Sequence, residues 1–220
     1  MSIKFRKVTE ELLDHLPADD PQAIQSRRDL ERINFVLGNF RWLNRQLREL
    51  GARRIVEIGA GDAQFACSFA EANPDIDYIA IDLAPKPKST PENLDWLQGD
   101  LFEQLPNVKG DVLVANLFLH HLEEKQLNDL GQQLPGFRAV LSSDPARFRV
   151  FHAGGYALRI FGLNEVTKHD LHVSIDAGFR NEELPTWLGL NNEDWAIQTR
   201  HTMLGMYRMI AVNQRYESAD

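Results

Sequence analysis

The sequence predicts an α/β fold: a mostly parallel sheet with helices on both faces, an N-terminal helical cap and a C-terminal antiparallel hairpin. Between residues 51 and 142, short apolar runs alternate with helical patterns, and repeated β-α units build parallel sheets covered by helices. Residues 21–50 show helical periodicity alone. The last two β-rich runs, Trp195–Leu204 and Met206–Val212, meet at Gly205 as a hairpin does.

Length, charge and cysteine content narrow the class of protein. A chain of 220 residues, 43% hydrophobic and 25% charged, fits one globular domain. Its net charge of −8 disfavours nucleic acid and anionic membranes as partners. No signal peptide or membrane-spanning run is recognisable, and the lone cysteine, Cys67, suits a reducing compartment. We therefore expect a cytoplasmic protein without a nucleic-acid partner or membrane insertion, and the pattern assigns no oligomeric state.

The first 50 residues are predicted to form a helical cap, and residues 51–220 a single main domain. A short helix is expected within residues 8–20. From residue 21 to residue 50, apolar side chains recur at three- and four-residue steps. Gly38 is predicted to split this stretch into two helices, and Gly51 to end it as a C-cap. Such helices either cover a ligand pocket as a lid or pack against the sheet, and both interpretations stay open.

Five predicted strands follow, separated by helical or loop segments. Helices are predicted at residues 62–73, after the fourth strand, and over much of residues 146–190, and Cys67 is expected to be a small core residue. With the C-terminal hairpin the chain has seven predicted strands. The first five, in chain order, are Arg53–Ile58, Asp77–Ile81, Asn93–Leu97, Asp111–Ala115 and Phe137–Ser142.

A glycine-rich turn ends the first strand and points to a nucleotide-like ligand. The segment Glu57-Ile58-Gly59-Ala60-Gly61 precedes a helix start. Glycine lets a ligand approach the backbone closely, and the helix offers unpaired N–H groups and a positive dipole end. Asp82, which ends the second strand 21 residues beyond Gly61, lies where an acid commonly binds ribose hydroxyls. A capping or solvated role for Asp82 is the alternative.

Two classes of cofactor fit this pair of motifs: dinucleotides and S-adenosylmethionine. Gln64 stands where the dinucleotide fingerprint needs a third small residue. Glu57 would lie poorly beside a pyrophosphate, whereas it could orient the loop or a cationic amino group. An NAD-dependent oxidoreductase therefore stays open only as a disfavoured alternative.

On these motifs the chain resembles the class I S-adenosylmethionine-dependent methyltransferases, over roughly residues 50–212. The resemblance implies a Rossmann-like seven-stranded sheet and S-adenosyl-L-methionine as cofactor. Ala63 departs from the family pattern, in which a further glycine is frequent, and this keeps a non-catalytic S-adenosylmethionine-binding protein open. The residues implied to hold the cofactor are Glu57, Gly59, Ala60, Gly61, Asp82, Leu83, Asp100, Leu101 and Asn116.

A narrower resemblance concerns the acceptor. Gly38–Asn44, Leu117–His121 and Lys168–Asp170 are similar to short bacterial methyltransferases associated with type III polyketide synthases. That similarity implies O-methylation of a phenolic or polyketide-like small molecule. The segment after the fourth strand also lacks the Asp/Asn-Pro-Pro-aromatic run that acts on nucleobase amino groups, which disfavours nucleic-acid methylation.

Histidines supply the candidate catalytic groups, because histidine is the commonest general base in proton transfer. His120 and His121 follow the fourth strand, where the resemblance places the cofactor sulfur and the acceptor. His169 lies beyond the fifth strand, with Asp170 as its candidate orienting group. A hydrogen-bonded structural role is the alternative for each of them.

Further residues beyond the fifth strand have two open interpretations each. Metal ligation by His169, His172 and Asp176 is a weak alternative, because two histidines three apart need a further convincing ligand, so no metal is expected. Polar residues after the strand could recognise the acceptor or form a surface ion pair: Asp144, Arg147 and Arg149. Aromatic residues could line its pocket or belong to the core: Phe40, Trp42, Phe148, Phe151 and Tyr156.

Overall fold

A computed structural model of the chain describes residues 5–17, 19–152 and 162–216. Its described residues form one seven-stranded sheet in the spatial order β3-β2-β1-β4-β5-β7-β6. Strands β1 to β5 pair in parallel, whereas β7 pairs antiparallel with both β5 and β6. The strands are β1 (Arg54–Ile58), β2 (Asp77–Asp82), β3 (Leu94–Gln98), β4 (Val112–Asn116), β5 (Ala139–Pro145), β6 (Trp195–His201) and β7 (Met206–Asn213).

Helices flank the sheet and connect its strands. In the described ranges, no helix is both long enough and apolar enough to cross a membrane. Short 3-10 turns lie at Leu13–His15 and Leu119–His121, among others. Residues 149–152 are also helical, at the limit of the described residues. The α-helices whose bounds lie within the described residues are α1 (Pro21–Leu37), α2 (Asn39–Leu50), α3 (Gln64–Ala72), α4 (Leu101–Gln104), α5 (Glu124–Gly131), α6 (Glu165–Ala177) and α7 (Glu183–Trp187).

Both faces of the sheet are buried, which explains the nearly continuous apolar runs of its strands. Successive side chains of β1 point to opposite faces, so Val56 and Ile55 belong to two different apolar clusters. Helices α2 and α3 cover one face, with Leu43 and Phe69 in its core. Helix α5 covers the other, with Leu127 in its core. The predicted fold class, with helices on both faces and a C-terminal hairpin, is confirmed.

Several element boundaries differ from the sequence-based ones for local reasons. Helix α3 begins at Gln64, because Gly61 and Ala63 hold positive φ angles of 58° and 61° and cannot belong to a helix. Strand β5 runs on to Pro145, which pairs with the first residue of β7. The structure also leaves Cys67 partly exposed rather than in the core. Tyr156, a candidate pocket residue, lies outside the described residues.

The two predicted helix ends in the N-terminal region are confirmed. Gly38 separates α1 from α2, and Gly51 ends α2; both adopt left-handed backbone conformations, with φ of 65° and 61°. The short helix expected within residues 8–20 is reduced to the 3-10 turn Leu13–His15.

Buried polar groups hold α1 against α6. The Asp29 carboxylate is fully buried and accepts the Asn164 N–H at 3.0 Å and the Thr167 hydroxyl at 3.3 Å. The hydroxyls of Ser26 and Thr167 lie 2.8 Å apart. These contacts give α1 a packing role, while the division into a cap and a main domain, and any movement of the cap as a lid, stay predictions.

Candidate functional site

The carboxyl ends of β1 and β2 meet at the glycine loop, at one edge of the sheet. The Asp82 carboxylate accepts the Gly61 N–H at 2.7 Å through one oxygen and the Ala84 N–H at 2.8 Å through the other. The Gly59 N–H donates to the Ile81 carbonyl at 2.9 Å. Asp82 therefore ties the glycine loop to the end of β2, and each of its oxygens keeps accepting capacity for a ligand.

The loop after β4 packs closely against this glycine loop. A Cβ built on Gly59 would lie 2.0 Å from Cδ2 of Phe118, so glycine is required here by contact as well as by its φ of 65°. Gly61 has a similar φ of 58°, but a Cβ there would meet no atom of the described residues within 4 Å. The two glycines therefore serve different purposes: Gly59 allows a close approach, and Gly61 makes the turn.

Glu57 lies buried directly beneath the loop. Its carboxylate oxygen accepts the Tyr78 hydroxyl at 2.9 Å. Burial raises the pKa of Glu57 to about 8, although the hydrogen bond from Tyr78 opposes the shift. The carboxyl group is therefore largely protonated at neutral pH in the absence of a nearby cation.

The ends of β2 and β3 place the remaining predicted cofactor residues differently. Asp100 accepts the Phe102 N–H at 2.7 Å and so caps α4, while Leu101 is buried beneath it. Leu83 is 73% exposed and presents its side chain at the surface. Ala60 is partly buried within the glycine loop.

Asn116, at the end of β4, carries an unusual orphan group. Its side-chain oxygen Oδ1 is buried and has no hydrogen-bond partner among the described residues. A buried acceptor without a donor costs roughly 1–3 kcal/mol. The next residue, Leu117, has a positive φ of 54°, and such strain clusters at functional sites. The oxygen is available to a donor that a ligand would bring.

His120 is held between two carboxylates. Its Nδ1 lies 3.0 Å from Oδ1 of Asp144, and its Nε2 lies 3.5 Å from Oε1 of Glu11. Asp144 also accepts the Ser142 hydroxyl at 2.5 Å. Burial alone would lower the pKa of His120, but the hydrogen bonds with Asp144 and Glu11 outweigh it and raise that pKa to about 9. His120 is thus a fixed imidazolium at neutral pH.

His121 has the opposite electrostatic character. Its ring lies 4.2 Å from the His120 ring and 6.4 Å from the Phe118 ring, between centroids. Burial, together with the charge of His120, lowers the pKa of His121 to about 4. His121 is therefore a neutral imidazole at physiological pH, with a lone pair available for a proton or a metal ion.

An N-terminal segment, residues 5–16, packs against the His120 turn. Arg6 donates to the Ala177 carbonyl at 2.6 Å and to the His120 carbonyl at 2.8 Å, and its guanidinium stacks over the Phe179 ring. Burial lowers the pKa of Arg6 to about 10, so it remains charged. The segment thereby brings Glu11 to His120. Sequence patterns gave no signal for Glu11, since it is distant in the chain.

Asp170, on α6, anchors this segment, and His169 lies beside it. The Asp170 carboxylate accepts the Leu12 N–H at 2.8 Å and the Leu13 N–H at 3.0 Å. His169 is 48% exposed at its side chain, and its Nδ1 lies 3.0 Å from Oδ1 of Asp170. The predicted contact between His169 and Asp170 exists, and both carboxylate oxygens also bind the backbone of the N-terminal segment.

The surface ion-pair interpretation is wrong for Asp144, which lies within β5, and for Arg147, which follows it. Asp144 and Arg147 are buried rather than members of a surface ion pair; Arg147 donates to both oxygens of Glu183, at 2.5 and 2.6 Å. Buried pairing of this kind belongs to the structural framework. The polar run Ser142-Ser143-Asp144, ending a buried strand, is the sequence signal that could have revealed Asp144.

The weak alternative of a metal set formed by His169, His172 and Asp176 finds no support, since these three do not form a ligand cluster among the described residues. Instead, His172 contacts His152, with 2.9 Å between their Nδ1 atoms, and Nε2 of His152 lies 3.1 Å from Asp176. His169 faces Asp170.

Comparison with known proteins supports the fold and links part of the chain to methyltransferases. No protein-family model matches the chain. Over 81 residues, 34% of this chain, it is 31% identical to an uncharacterized methyltransferase of Mycobacterium tuberculosis, of which the match spans 41%. An uncharacterized methyltransferase of Mycobacterium bovis matches equally. The chain thus spans less than half the length of these curated relatives.

Solved methyltransferases share the fold at low sequence identity. The plantazolicin methyltransferase BamL, in complex with a triazolic desmethylPZN analogue and SAH, matches with a TM-score of 0.72 over 92% of this chain and 93% of its own, at 9% identity. The methyltransferase domain of bacterial CtHen1-C gives 0.60 over 80% and 97%, at 12% identity. A putative O-methyltransferase from Nostoc punctiforme gives 0.60 over 89% and 62%, at 13% identity. The chain has the Rossmann-like fold of these methyltransferases.

The contact between Gly59 and Phe118 predicts different costs for two glycine substitutions. Gly59→Ala and Gly61→Ala both impose a positive φ on alanine, at about 1 kcal/mol each, but only Gly59→Ala also displaces the Phe118 ring. We expect Gly59→Ala to lose at least about 1 kcal/mol more of unfolding free energy in urea titrations. Phe118→Ala should relieve this excess in a double-mutant cycle. Equal losses for both glycine variants would contradict the contact.

The buried Glu57 predicts a particular pH dependence of stability. Its pKa rises from 4.5 to about 8 on folding, so between those values the folded protein holds a proton that the unfolded chain has released. The stabilising contribution is therefore complete below pH 4.5 and is lost as pH rises to about 8. Glu57→Gln removes this titration. The free energy of unfolding should therefore fall less steeply with pH than in wild type, by up to about 1.4 kcal/mol per pH unit.

Urea unfolding at a series of pH values measures this difference. Glu71→Gln is the matched control, because Glu71 is exposed and its substitution should leave the wild-type pH profile unchanged. A Glu57→Gln profile that runs parallel to wild type across this range would show that Glu57 ionises normally.

Proposed function

We propose that this chain transfers a methyl group from S-adenosyl-L-methionine to a small-molecule hydroxyl. The observation that carries the proposal is the joining of the glycine loop to Asp82 at 2.7 Å, at the edge where β1 lies between β2 and β4. Ligands of open α/β sheets bind at such carboxyl edges, near the point where strand order reverses. The matched segment of the mycobacterial methyltransferases adds support.

The residues at this edge fit an adenosyl cofactor. Asp82 would bind ribose hydroxyls with its remaining lone pairs, and Asp100 and Leu101 would border the base. The orphan oxygen of Asn116 would accept a hydrogen bond from the ligand's ammonium group. The positive charge of that group would lower the raised pKa of Glu57, so that Glu57 would ionise beneath it. When bound, S-adenosylmethionine supplies an electrophilic methyl group on a sulfonium, so the protein chiefly aligns the reactants and excludes water.

The charges at the start of α3 favour this cofactor over a dinucleotide. Gln64 Nε2 donates to Asp62 at 2.7 Å and to Glu31 at 2.8 Å. The negative charges of these carboxylates would repel a pyrophosphate, which dinucleotide-binding proteins hold at the N-terminus of this helix. An NAD-dependent oxidoreductase is the less supported alternative. A non-catalytic S-adenosylmethionine-binding protein differs from the main proposal only in lacking turnover.

The histidine pair after β4 suits a phenolic or polyketide-like acceptor. His121 is neutral and partly exposed, so its lone pair can accept a hydrogen bond from an acceptor hydroxyl and align it, while its low pKa makes it a weak base. His120 is fixed as a cation by Asp144 and Glu11 and would orient its neighbour electrostatically. Among the predicted catalytic residues we assign Asp170, with His169 beside it, to anchoring the N-terminal segment, since Asp170 binds its backbone.

Label transfer from the cofactor tests this function. Wild-type protein given methyl-labelled S-adenosylmethionine and a panel of phenols should methylate at least one of them. His121→Ala should lower kcat roughly tenfold, the usual effect of losing one hydrogen bond that aligns the reacting hydroxyl. His169→Ala is the matched control and should stay within about threefold of wild type, given its exposed side chain.

The acceptor class and the role of His121 are tested by different outcomes of this experiment. Absence of transfer to every phenol would contradict the acceptor class, and a wild-type rate for His121→Ala would contradict the role of that histidine. Far-UV circular dichroism of both variants establishes that each rate belongs to folded protein.

A further inference from the structure

Three side chains brought together by the N-terminal segment have the composition of a metal site. Glu11, His120 and His121 each offer one ligand atom, and these atoms all lie within 4.8 Å of one another. Nε2 of His120 is 3.5 Å from Oε1 of Glu11. The carboxylate comes from residues 5–16, whereas the two imidazoles come from the turn after β4.

We propose that Glu11, His120 and His121 bind a divalent first-row transition-metal ion. Two imidazoles and one carboxylate suit ions such as Zn²⁺, Co²⁺, Mn²⁺ or Fe²⁺ better than Mg²⁺, which prefers oxygen ligands. Metal–ligand bonds of about 2.0–2.2 Å place neighbouring ligand atoms roughly 3–3.5 Å apart. The Glu11–His120 separation of 3.5 Å already fits this spacing, and separations of up to 4.8 Å require a contraction of at most roughly 1.3–1.8 Å.

The supporting hydrogen bonds are those that orient metal ligands. A ligating histidine usually donates its second ring N–H to a carboxylate, and Nδ1 of His120 lies 3.0 Å from Asp144. Asp144 is fixed in turn by the Ser142 hydroxyl at 2.5 Å. On the other side, the Ser174 hydroxyl donates to Oε1 of Glu11. Both ends of the ligand set are therefore preoriented.

Charge and burial also favour a cation at this place. The carboxylates of Glu11 and Asp144 outnumber the nearby guanidinium of Arg6, which binds the His120 carbonyl at 2.8 Å. The Glu11 side chain is only 12% exposed and that of His120 only 4%. Ligation uses the lone pair on Nε2 of His120, so the ion takes the place of the proton shared with Glu11.

Such an ion would refine how the acceptor is activated. With three protein ligands it keeps an open coordination position, and a hydroxyl bound there ionises more readily. His121 would then act as a ligand rather than as a hydrogen-bond acceptor. This last step rests on the proposed methyl transfer, whereas metal binding itself does not.

Cobalt titration of the 220-residue chain tests the site without cofactor or acceptor. Protein freed of metal by a chelator, and then of the chelator, is titrated with Co²⁺ and followed by visible absorption and calorimetry. We expect one equivalent to bind, with nitrogen-ligated d–d bands, and to be displaced by Zn²⁺. Glu11→Gln and His121→Ala should each weaken binding at least about tenfold.

Matched controls come from the same segment and from the chain's other histidine cluster. Glu10→Gln changes an adjacent side chain that is 83% exposed and should bind Co²⁺ as wild type does. His172→Ala disrupts the contact with His152 and should also leave binding unchanged. Circular dichroism establishes that every variant is folded.

Each result decides the proposal. Binding lost in Glu11→Gln and His121→Ala but kept in both controls supports it. Failure of wild type to bind Co²⁺ at millimolar concentration, equal binding by all variants, or loss in His172→Ala alone would overturn it. A protein that binds no metal but still methylates a phenol would retain the proposed function without this site.

Discussion

The pairing of β1 with β2 on one side and with β4 on the other is the constraint on which the candidate site depends. In this register Ile58 lies beside Ile81 and Ala115, so three strand ends open at one edge of the sheet. The loops that leave them must pass at close range, and Gly59 makes room for Phe118. Because both faces of the sheet are covered by helices, this edge is where the strand ends can present polar groups to a ligand.

A network of buried charged side chains positions the part of the site around His120. Asp144 extends from β5 to fix His120, and His120 meets Glu11 from the N-terminal segment. Removing one partner of such a buried network leaves another charge uncompensated, which ties the segment to the strand ends energetically. The same network sets the opposite ionisation of the two adjacent histidines, with His120 charged and His121 neutral. The 3-10 turn Leu119–His121 thus carries a charged imidazolium, His120, next to a neutral imidazole, His121.

Sequence periodicity predicted the fold well because buried strands and amphipathic helices leave local patterns. The glycine loop and Asp82 were predicted for the same reason, since their spacing is fixed by one β-α-β unit. Glu11 escaped prediction, because its contact with His120 depends on the path of a segment that lacks regular periodicity. Asp144 was given the wrong surroundings, since its partners come from other parts of the chain. Residues that act together within one β-α-β unit can be predicted from the sequence, whereas charged partners that are distant in the chain are identified only in the folded structure.

The central claim is that the edge formed by β1, β2 and β4 binds an adenosyl ligand through Asp82. Calorimetry with S-adenosylhomocysteine and, separately, NAD⁺ tests it most directly, using wild type, Asp82→Asn and the exposed control Asp75→Asn. We expect S-adenosylhomocysteine to bind wild type and Asp75→Asn equally and NAD⁺ not to bind. Asp82→Asn should weaken S-adenosylhomocysteine binding at least about tenfold, because a charged hydrogen-bond partner is lost. Preference for NAD⁺, or undiminished S-adenosylhomocysteine binding by Asp82→Asn, would contradict the claim.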